Sequence, residues 1–451
     1  MKSKDLPIAL GTEKVGKLLM QYAIPAIIAM TASSLYNITD SIFIGHGVGA
    51  LAISGLALTF PLMNLAAAFG SLVGVGASTL MSVRLGQKDY DTANKILGNV
   101  FILNIILGLA YTVVVLSFLD PILYFFGASD ATLPYAHEYM VVILLGNVVT
   151  HMFLGLNALL RSTGRPQKAM YTTLCSVLIN IVLNPLFIFV FKWGIQGSAF
   201  ATVISQTVML VWQINIFSNK KHFIHLKKGT FRLQRKIVVD SLAIGLSPFL
   251  MNAASCVIVV LINQGLIRHG GDLAVGAYGI VNRVVFLFVM IVMGINQGMQ
   301  PIAGYNFGAG QYDRVTEVLK KTIFLATGVM TLGFLIGELF PHAVASVFTT
   351  DKILIDLASE GLSIVLICFP IVGFQMVTTN FFQSIGMASK SIFLSLTRQL
   401  IFLLPCLLIL PQFFGVKGVW YSMPLADLAA CIVSAFMLFS QFRQFKKPVA
   451  G

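Results

Sequence analysis

The chain has 451 residues, of which 57% are hydrophobic and 10% are charged, and its formal net charge is +13. Soluble domains contain about 25% charged residues, so this composition excludes a soluble protein. Apolar runs of about 20 residues, the length that a helix needs to cross a bilayer, recur from end to end. We therefore expect an all-α protein that crosses the membrane many times.

Hydropathy and turn residues place twelve transmembrane helices along the chain. In order, they cover residues 18–44, 50–82, 96–118, 137–160, 170–190, 197–217, 238–267, 273–304, 317–340, 356–382, 391–411 and 418–440. Several are longer than a bilayer requires and contain proline, which predicts tilted or kinked helices. The expected kinks are at Pro25, Pro61, Pro248, Pro301 and Pro370.

Lysine and arginine are concentrated in the N-terminal tail, in the loops after even-numbered helices and at the C-terminus, which together hold 24 of the 30. By the positive-inside rule, these segments face the cytoplasm. The densest basic run, residues 218–236, is therefore interpreted as a topology signal beside anionic lipid, and not as a nucleic-acid site. We expect a multi-pass membrane protein with both termini in the cytoplasm.

Motifs of the first half recur about 222 residues later in the second half. "RLGQKDYDTANK" at Arg84 matches "NFGAGQYDRVTE" at Asn306, and "RSTGRPQK" at Arg161 matches "QSIGMASK" at Gln383. This repeat predicts two six-helix lobes that enter the membrane in the same direction, with sites between or inside them. The predicted divisions are an N-lobe at 1–217, a basic connection at 218–237 and a C-lobe at 238–451. The matching prolines Pro25 and Pro248 are the predicted hinges.

The first predicted helix carries a polar stripe in apolar surroundings. Ser33, Tyr36, Asn37 and Asp40 recur at helical spacing and so share one face. Asp40 follows Lys17 by 23 residues, about 34 Å of helix, which places it in the outer half of the membrane. A charge there costs several kcal/mol unless it is paired or neutralised, so this carboxylate is a candidate for exchanging a proton or a metal ion. The alternative is a carboxylate held in structural hydrogen bonds.

Other polar residues lie at membrane depth. Asn180 and Asn184 share one face of the fifth helix, just before Pro185. Arg398 and Asp427 reach similar depth from opposite sides, which predicts an ion pair with a structural or a substrate-binding role. Further candidates for lining a cavity are Asn263, Gln264, Gln297 and Gln300.

Together these features resemble the MATE (multidrug and toxic compound extrusion) family, in its bacterial DinF/MepA-like branch. The resemblance rests on the Asp of helix one, the "RLGQKDYDTA" and "LRSTGRPQKAM" loops, the "LNPLFIF" end of helix five and the 6+6 arrangement. It implies a cation-coupled exporter of organic, often cationic compounds that alternates between outward-facing and inward-facing states. It also implies a cluster around the helix-one Asp that consists of Tyr139, Asn157, Asn180 and Thr202.

The coupling ion and the class of transporter stay open at this point. This sequence has Asn184 where some MATE members carry a second acid; a single carboxylate favours a proton, and Na⁺ at Asp40, Asn180 and Asn184 is the alternative. A flippase of the wider superfamily for lipid-linked oligosaccharides would need more cations than Arg283 and Arg398 inside helices. A channel or receptor would not need the acid.

No catalytic arrangement is found in the membrane helices, so we expect no enzyme activity. The five cysteines are scattered singly, so neither a disulfide framework nor a metal site is indicated. We expect no cofactor beyond the coupling ion, no nucleic-acid partner, and a monomer that contacts membrane lipids and small organic cations or drugs.

Overall fold

The computed structural model describes residues 6–227 and 229–445, without the side chains of residues 6, 7, 37, 38 and 50. The helices of the first half are α1 (Leu6–Thr12), α2 (Val15–Gly47), α3 (Ala50–Gly86), α4 (Tyr90–Ser117), α5 (Leu119–Phe125), α6 (Leu133–Leu145), α7 (Asn147–Ser162), α8 (Pro166–Pro185) and α9 (Gly194–Ser218), with a π-helical segment at Leu186–Val190. Those of the second half are α10 (Arg235–Gly308), α11 (Tyr312–Leu339), α12 (Pro341–Ser346), α13 (Lys352–Leu366), α14 (Phe369–Ser384), α15 (Ala388–Leu396), α16 (Leu404–Phe414) and α17 (Val416–Phe445), with a π-helical segment at Thr397–Leu403.

The helices have the lengths that a membrane requires. Within the described ranges, nine helical segments are long and apolar enough to span a bilayer, and two bent pairs of shorter helices add two more spans. The long helix α10 contains two of the predicted spans, because its backbone leaves the helical region at Gly271, where φ is 66°. The described part of the chain thus accounts for the twelve predicted spans, and the all-α membrane fold is confirmed.

Two of the predicted spans each consist of two shorter helices that meet at a bend. The predicted helix 137–160 consists of α6 and α7, which meet at 55°, and the predicted helix 356–382 consists of α13 and α14, which meet at 54°. At the first break, a Cβ on Gly146 would lie 2.4 Å from Cγ2 of Val203, so α9 passes too close for a larger residue. The predicted kink at Pro370 is confirmed as the second break, because this proline stands in the first turn of α14, where a missing N–H costs nothing.

Contacts divide the chain into two compact units. Unit 1 contains α1 and Ile28–Phe249, and unit 2 contains Glu13–Ile27 and the chain from Leu250 onward. Both boundaries fall inside a long helix, beside Pro25 in α2 and beside Pro248 in α10. They therefore differ from the predicted lobe boundaries: the connection predicted at 218–237 and the first turns of α10 pack within unit 1. The hinge role of the two prolines stays a prediction.

The first turns of α10 lie directly on α3 in unit 1. A Cβ on Gly76 would be 1.8 Å from the carbonyl oxygen of Ser241, so the two helix backbones touch. Unit 2 contains the repeat-equivalent contact, in which a Cβ on Gly298 would be 2.6 Å from the backbone nitrogen of Ala23. Glycine is required at both places because small residues let membrane helices approach closely.

Gly76→Ala is therefore expected to destabilise the protein. The added methyl collides with backbone that cannot rotate away, and overpacking of this kind costs about 1–3 kcal/mol. The apparent melting temperature of the purified variant should fall by several degrees. Gly279→Ala is the matched control, because a Cβ there meets nothing within 4 Å and alanine favours the helix. Equal melting temperatures for the two variants would contradict the packing account.

Candidate functional site

The carboxylate of Asp40 is buried inside unit 1, where two side chains donate to the same oxygen. Ser198 of α9 donates through Oγ to Oδ1 at 2.7 Å, and Asn184 of α8 donates to Oδ1 through its amide nitrogen. No basic residue forms an ion pair with Asp40 in the part of the chain that the structure describes. A buried acid in such surroundings holds its charge through donated hydrogen bonds or takes up a cation.

A second group of hydrogen bonds extends this site. The Tyr36 hydroxyl lies 2.6 Å from Oγ1 of Thr202, and the same Oγ1 accepts a hydrogen bond of 3.2 Å from the amide of Asn180. Tyr139 is fully buried and interacts electrostatically with Asp40. Tyr36, Asp40, Tyr139, Asn180, Asn184 and Thr202 are therefore brought together in unit 1. The side chain of Asn37, the remaining member of the predicted stripe, lies outside what the structure describes.

Helical spacing explains why α8 supplies two amides to the site. The buried polar residues of this helix, Thr172, Ser176, Asn180 and Asn184, follow one another at intervals of four and so form a single stripe. The α-helix ends at Pro185, which lacks an N–H, and a π-helical turn follows. Asn184 thus lies in the last α-helical turn, directly beside Asp40.

Sequence reasoning missed Ser198. Its hydroxyl is a direct partner of Asp40, yet a single serine near the start of a mostly apolar helix gives no signal by itself. The available signal was its spacing on α9, four residues before Thr202 and seven before Ser205, all three of them buried. These residues face the polar stripe of α8, where Ser205 and Ser176 lie 3.4 Å apart through their hydroxyl oxygens.

The structure does not place Asn157 in the Asp40 cluster, as the resemblance implied. Its amide donates to the carbonyl of Ala169 at 2.9 Å and to Oγ1 of Thr172 at 2.8 Å, which joins α7 to the first turns of α8. Thr172 precedes Asn184 by twelve residues, which is about 18 Å along the helix. Asn157 is therefore an interhelical contact at the other end of α8.

Unit 2 contains an ion pair at the two positions that correspond, through the internal repeat, to the contact between Ser176 and Ser205 in unit 1. Nε of Arg398 lies 2.6 Å from Oδ1 of Asp427, and these residues follow Ser176 and Ser205 by 222 positions. The predicted pairing is thus present. Its role in transport stays a prediction.

The remaining predicted cavity residues all lie on α10. Gln264 is exposed, whereas Asn263, Gln297 and Gln300 are half-buried. Their role stays a prediction. Within residues 6–227 and 229–445, no three His, Cys, Asp or Glu side chains come close enough together to hold a metal ion.

Comparison with known proteins gives consistent results. A family model described as MatE matches residues 25–186 and 243–408. The multidrug export protein MepA of Staphylococcus haemolyticus is 28% identical to this chain over 424 residues, which cover 94% of this chain and 93% of that protein.

Two solved structures are similar to this chain over nearly its whole length. One is an outward-facing conformation of a multidrug resistance MATE family transporter of the MOP superfamily, with a TM-score of 0.93, 25% identity, and coverage of 99% of this chain and 100% of that chain. The other is a ligand complex of the MATE multidrug transporter DinF-BH, with a TM-score of 0.90, 34% identity, and coverage of 97% and 98%. Since the family model matches both halves of the chain, this protein belongs to the MatE family, as its sequence motifs predicted.

Proposed function

We propose that this protein exports organic compounds, cations among them, in exchange for protons, and that Asp40 carries the proton. The most direct support is that the two buried acids of the described ranges differ in their partners. Asp427 is neutralised by Arg398, whereas Asp40 has hydrogen-bond donors and no cationic partner. An unpaired carboxylate inside a membrane protein is costly unless its charge is exchanged during function.

The proposed cycle uses this charge as a switch. A proton that reaches Asp40 from outside neutralises it, which removes the attraction for a cationic drug and weakens the hydrogen bonds donated by Ser198 and Asn184. The drug then leaves, and helix α2 repacks about Pro25 as the protein turns inward. Loss of the proton to the cytoplasm restores the negative charge, which favours capture of the next cation.

Exchange of one proton for one monovalent cation moves no net charge. The membrane potential, which contributes about 2.3 kcal/mol per 100 mV for each charge moved, therefore adds nothing to this exchange. The pH gradient alone drives it.

Na⁺ is the second candidate for the coupling ion, and one observation favours it. The amide oxygen Oδ1 of Asn184 is buried and has no hydrogen-bond partner, although Asp40 is adjacent. An amide oxygen beside a carboxylate suits a hard cation, which prefers oxygen ligands. A protonated Asp40 that donates to this oxygen would satisfy it equally well, so transport measurements must separate the two.

The relatives support export of small organic compounds as the shared activity. One is named a multidrug export protein, and one MATE multidrug transporter was solved with a ligand bound. A flippase for lipid-linked oligosaccharides finds less support, because Asp427 neutralises the charge of Arg398. We further propose a monomer in a bacterial inner membrane, with both termini in the cytoplasm.

Transport by the purified protein in liposomes tests this function. Ethidium is a suitable probe because its charge is permanent, so it carries no proton of its own. Added ethidium should drive a change in lumenal pH at constant Na⁺, and the rate should not depend on Na⁺ at constant pH. Strict dependence on Na⁺ would transfer the coupling to a Na⁺ site at Asp40, Asn180 and Asn184. Ethidium flux without any coupled ion flux would contradict antiport.

A further inference from the structure

The segment between α9 and α10, of which the structure describes residues 219–227 and 229–234, packs within unit 1, and we call it the linker. Asn94 and Asn99 of α4 each donate one hydrogen bond to the linker backbone and accept another. The four partners are the Phe223 carbonyl at 3.3 Å, the His225 amide at 3.0 Å, the Arg232 carbonyl at 3.1 Å and the Gln234 amide at 2.9 Å. Ile224 is buried, and the Phe223 ring stacks on Tyr90. The linker backbone is therefore anchored to α4 at four points.

A cation with unmet hydrogen bonds lies beside this linker. Arg165, directly before α8, is only 8% exposed, and its Nε and Nη1 are buried without a hydrogen-bond partner. Burial lowers the pKa of Arg165 to about 10, so the guanidinium keeps its charge at neutral pH. Buried donors that lack an acceptor are costly, and the cost is larger for charged groups. The buried N–H groups of Arg165 therefore need an acceptor, which a bound ligand can supply.

Arg165 has a second cation, Lys168, and an imidazole, His222, as neighbours. Partial burial lowers the pKa of His222 below its usual range, and so do the positive charges of Arg165 and Lys168. Among the described residues, no Asp or Glu forms an ion pair with any of these three. The amino end of α8 lacks a side-chain cap and adds its own partial positive charge. The two cations and the helix start favour an anion, to which the uncharged His222 ring can donate a hydrogen bond.

The second half of the chain provides an internal comparison. The same turn, with a glycine at positive φ, precedes α15, but Met387 stands where the first half has Arg165. The lysine equivalent to Lys168 is Lys390, which donates to the side-chain oxygen of Gln441 at 2.5 Å. The turn therefore forms without the buried guanidinium and with a partnered lysine. The buried guanidinium without a hydrogen-bond partner is specific to the turn in unit 1.

We propose that Arg165, Lys168 and His222 form a binding site for a phosphate group at the linker end of unit 1. A phosphate has several acceptor oxygens, which suits the fork geometry of a guanidinium and the free N–H groups of a helix start. The phosphate belongs to an anionic phospholipid headgroup or to a soluble phosphate compound. The site is separate from the Asp40 cluster, which lies at the opposite end of α8, and does not depend on the proposed transport cycle.

Binding to the purified protein, with two probes, tests the site. Native mass spectrometry counts retained phosphatidylglycerol against phosphatidylcholine, and thermal shift at constant ionic strength measures protection by pyrophosphate. We expect the wild type to bind at least one probe and Arg165→Gln to weaken that binding roughly tenfold or more, the usual effect of losing a charged hydrogen bond. Arg232→Gln, which removes an exposed linker charge, is the matched control and should bind like the wild type.

The pattern of results separates the two sources of phosphate. Preference for phosphatidylglycerol alone assigns the site to lipid, and protection by pyrophosphate alone assigns it to a soluble compound. Lys168→Gln, in which a half-buried side chain is changed, repeats the test if Arg165→Gln does not fold. The proposal is overturned if the wild type binds neither probe, or if the control variant loses as much binding as the Arg165 and Lys168 variants.

Discussion

Asp40→Asn is expected to abolish drug efflux in cells and drug-dependent proton flux in liposomes, while the protein still inserts and folds. Asparagine has the size of aspartate, and its carbonyl oxygen can still accept from Ser198 and Asn184. It is permanently neutral, however, and so resembles the protonated acid and cannot release a proton. In the proposed cycle this variant loads no proton and loses the attraction for a cation, so the loss should be nearly complete.

The measurement needs a folded variant and a matched control. Size-exclusion profiles and melting temperatures should match the wild type, and initial rates of pH change on addition of ethidium report coupling. Asp91→Asn removes a carboxylate whose side chain is 78% exposed and pairs with Lys95 at 2.5 Å, so its transport should be unchanged. Wild-type exchange by a well-folded Asp40→Asn protein would remove Asp40 from the coupling mechanism.

Arg398→Gln is expected to harm the protein more than Asp427→Asn does, although both break the same ion pair. The side chain of Asp427 is 6% exposed and that of Arg398 is 33% exposed. Loss of the arginine therefore leaves an uncompensated buried carboxylate, at a cost of about 3–5 kcal/mol. Loss of the carboxylate leaves the guanidinium of Arg398, which is already partly exposed. The double variant should be more stable than Arg398→Gln alone.

A double-mutant cycle on melting temperature and transport rate measures this dependence. The pair between Lys417 and Glu360, at 2.7 Å with side chains 57% and 38% exposed, is the control in the same unit, where coupling should not exceed about 1 kcal/mol. If the double variant regains stability but not transport, the pair has a role in transport beyond folding. Additive losses in the Arg398 and Asp427 cycle would show that the two residues do not depend on each other.

The sequence by itself determined those features that depend on short-range spacing and composition. Hydropathy was sufficient to find the spans, since each helix must satisfy its backbone within the membrane. The intervals of four between Asn180 and Asn184, and between Tyr36 and Asp40, place each pair on one helix face in any packing arrangement. The depth of Arg398 and Asp427 likewise follows from the rise per residue, and their contact at 2.6 Å agrees with it.

Tertiary structure decided how the helices meet. Ser198 reaches Asp40, whereas Asn157 does not. This difference depends on how α7, α8 and α9 are shifted and rotated against one another. The register between two helices is set by packing of side chains that are far apart in sequence, and helical periodicity contains no information about it. The same holds for the break at Gly146, which depends on Val203 of another helix, and for Arg165, whose burial without a hydrogen-bond partner depends on the packing around it.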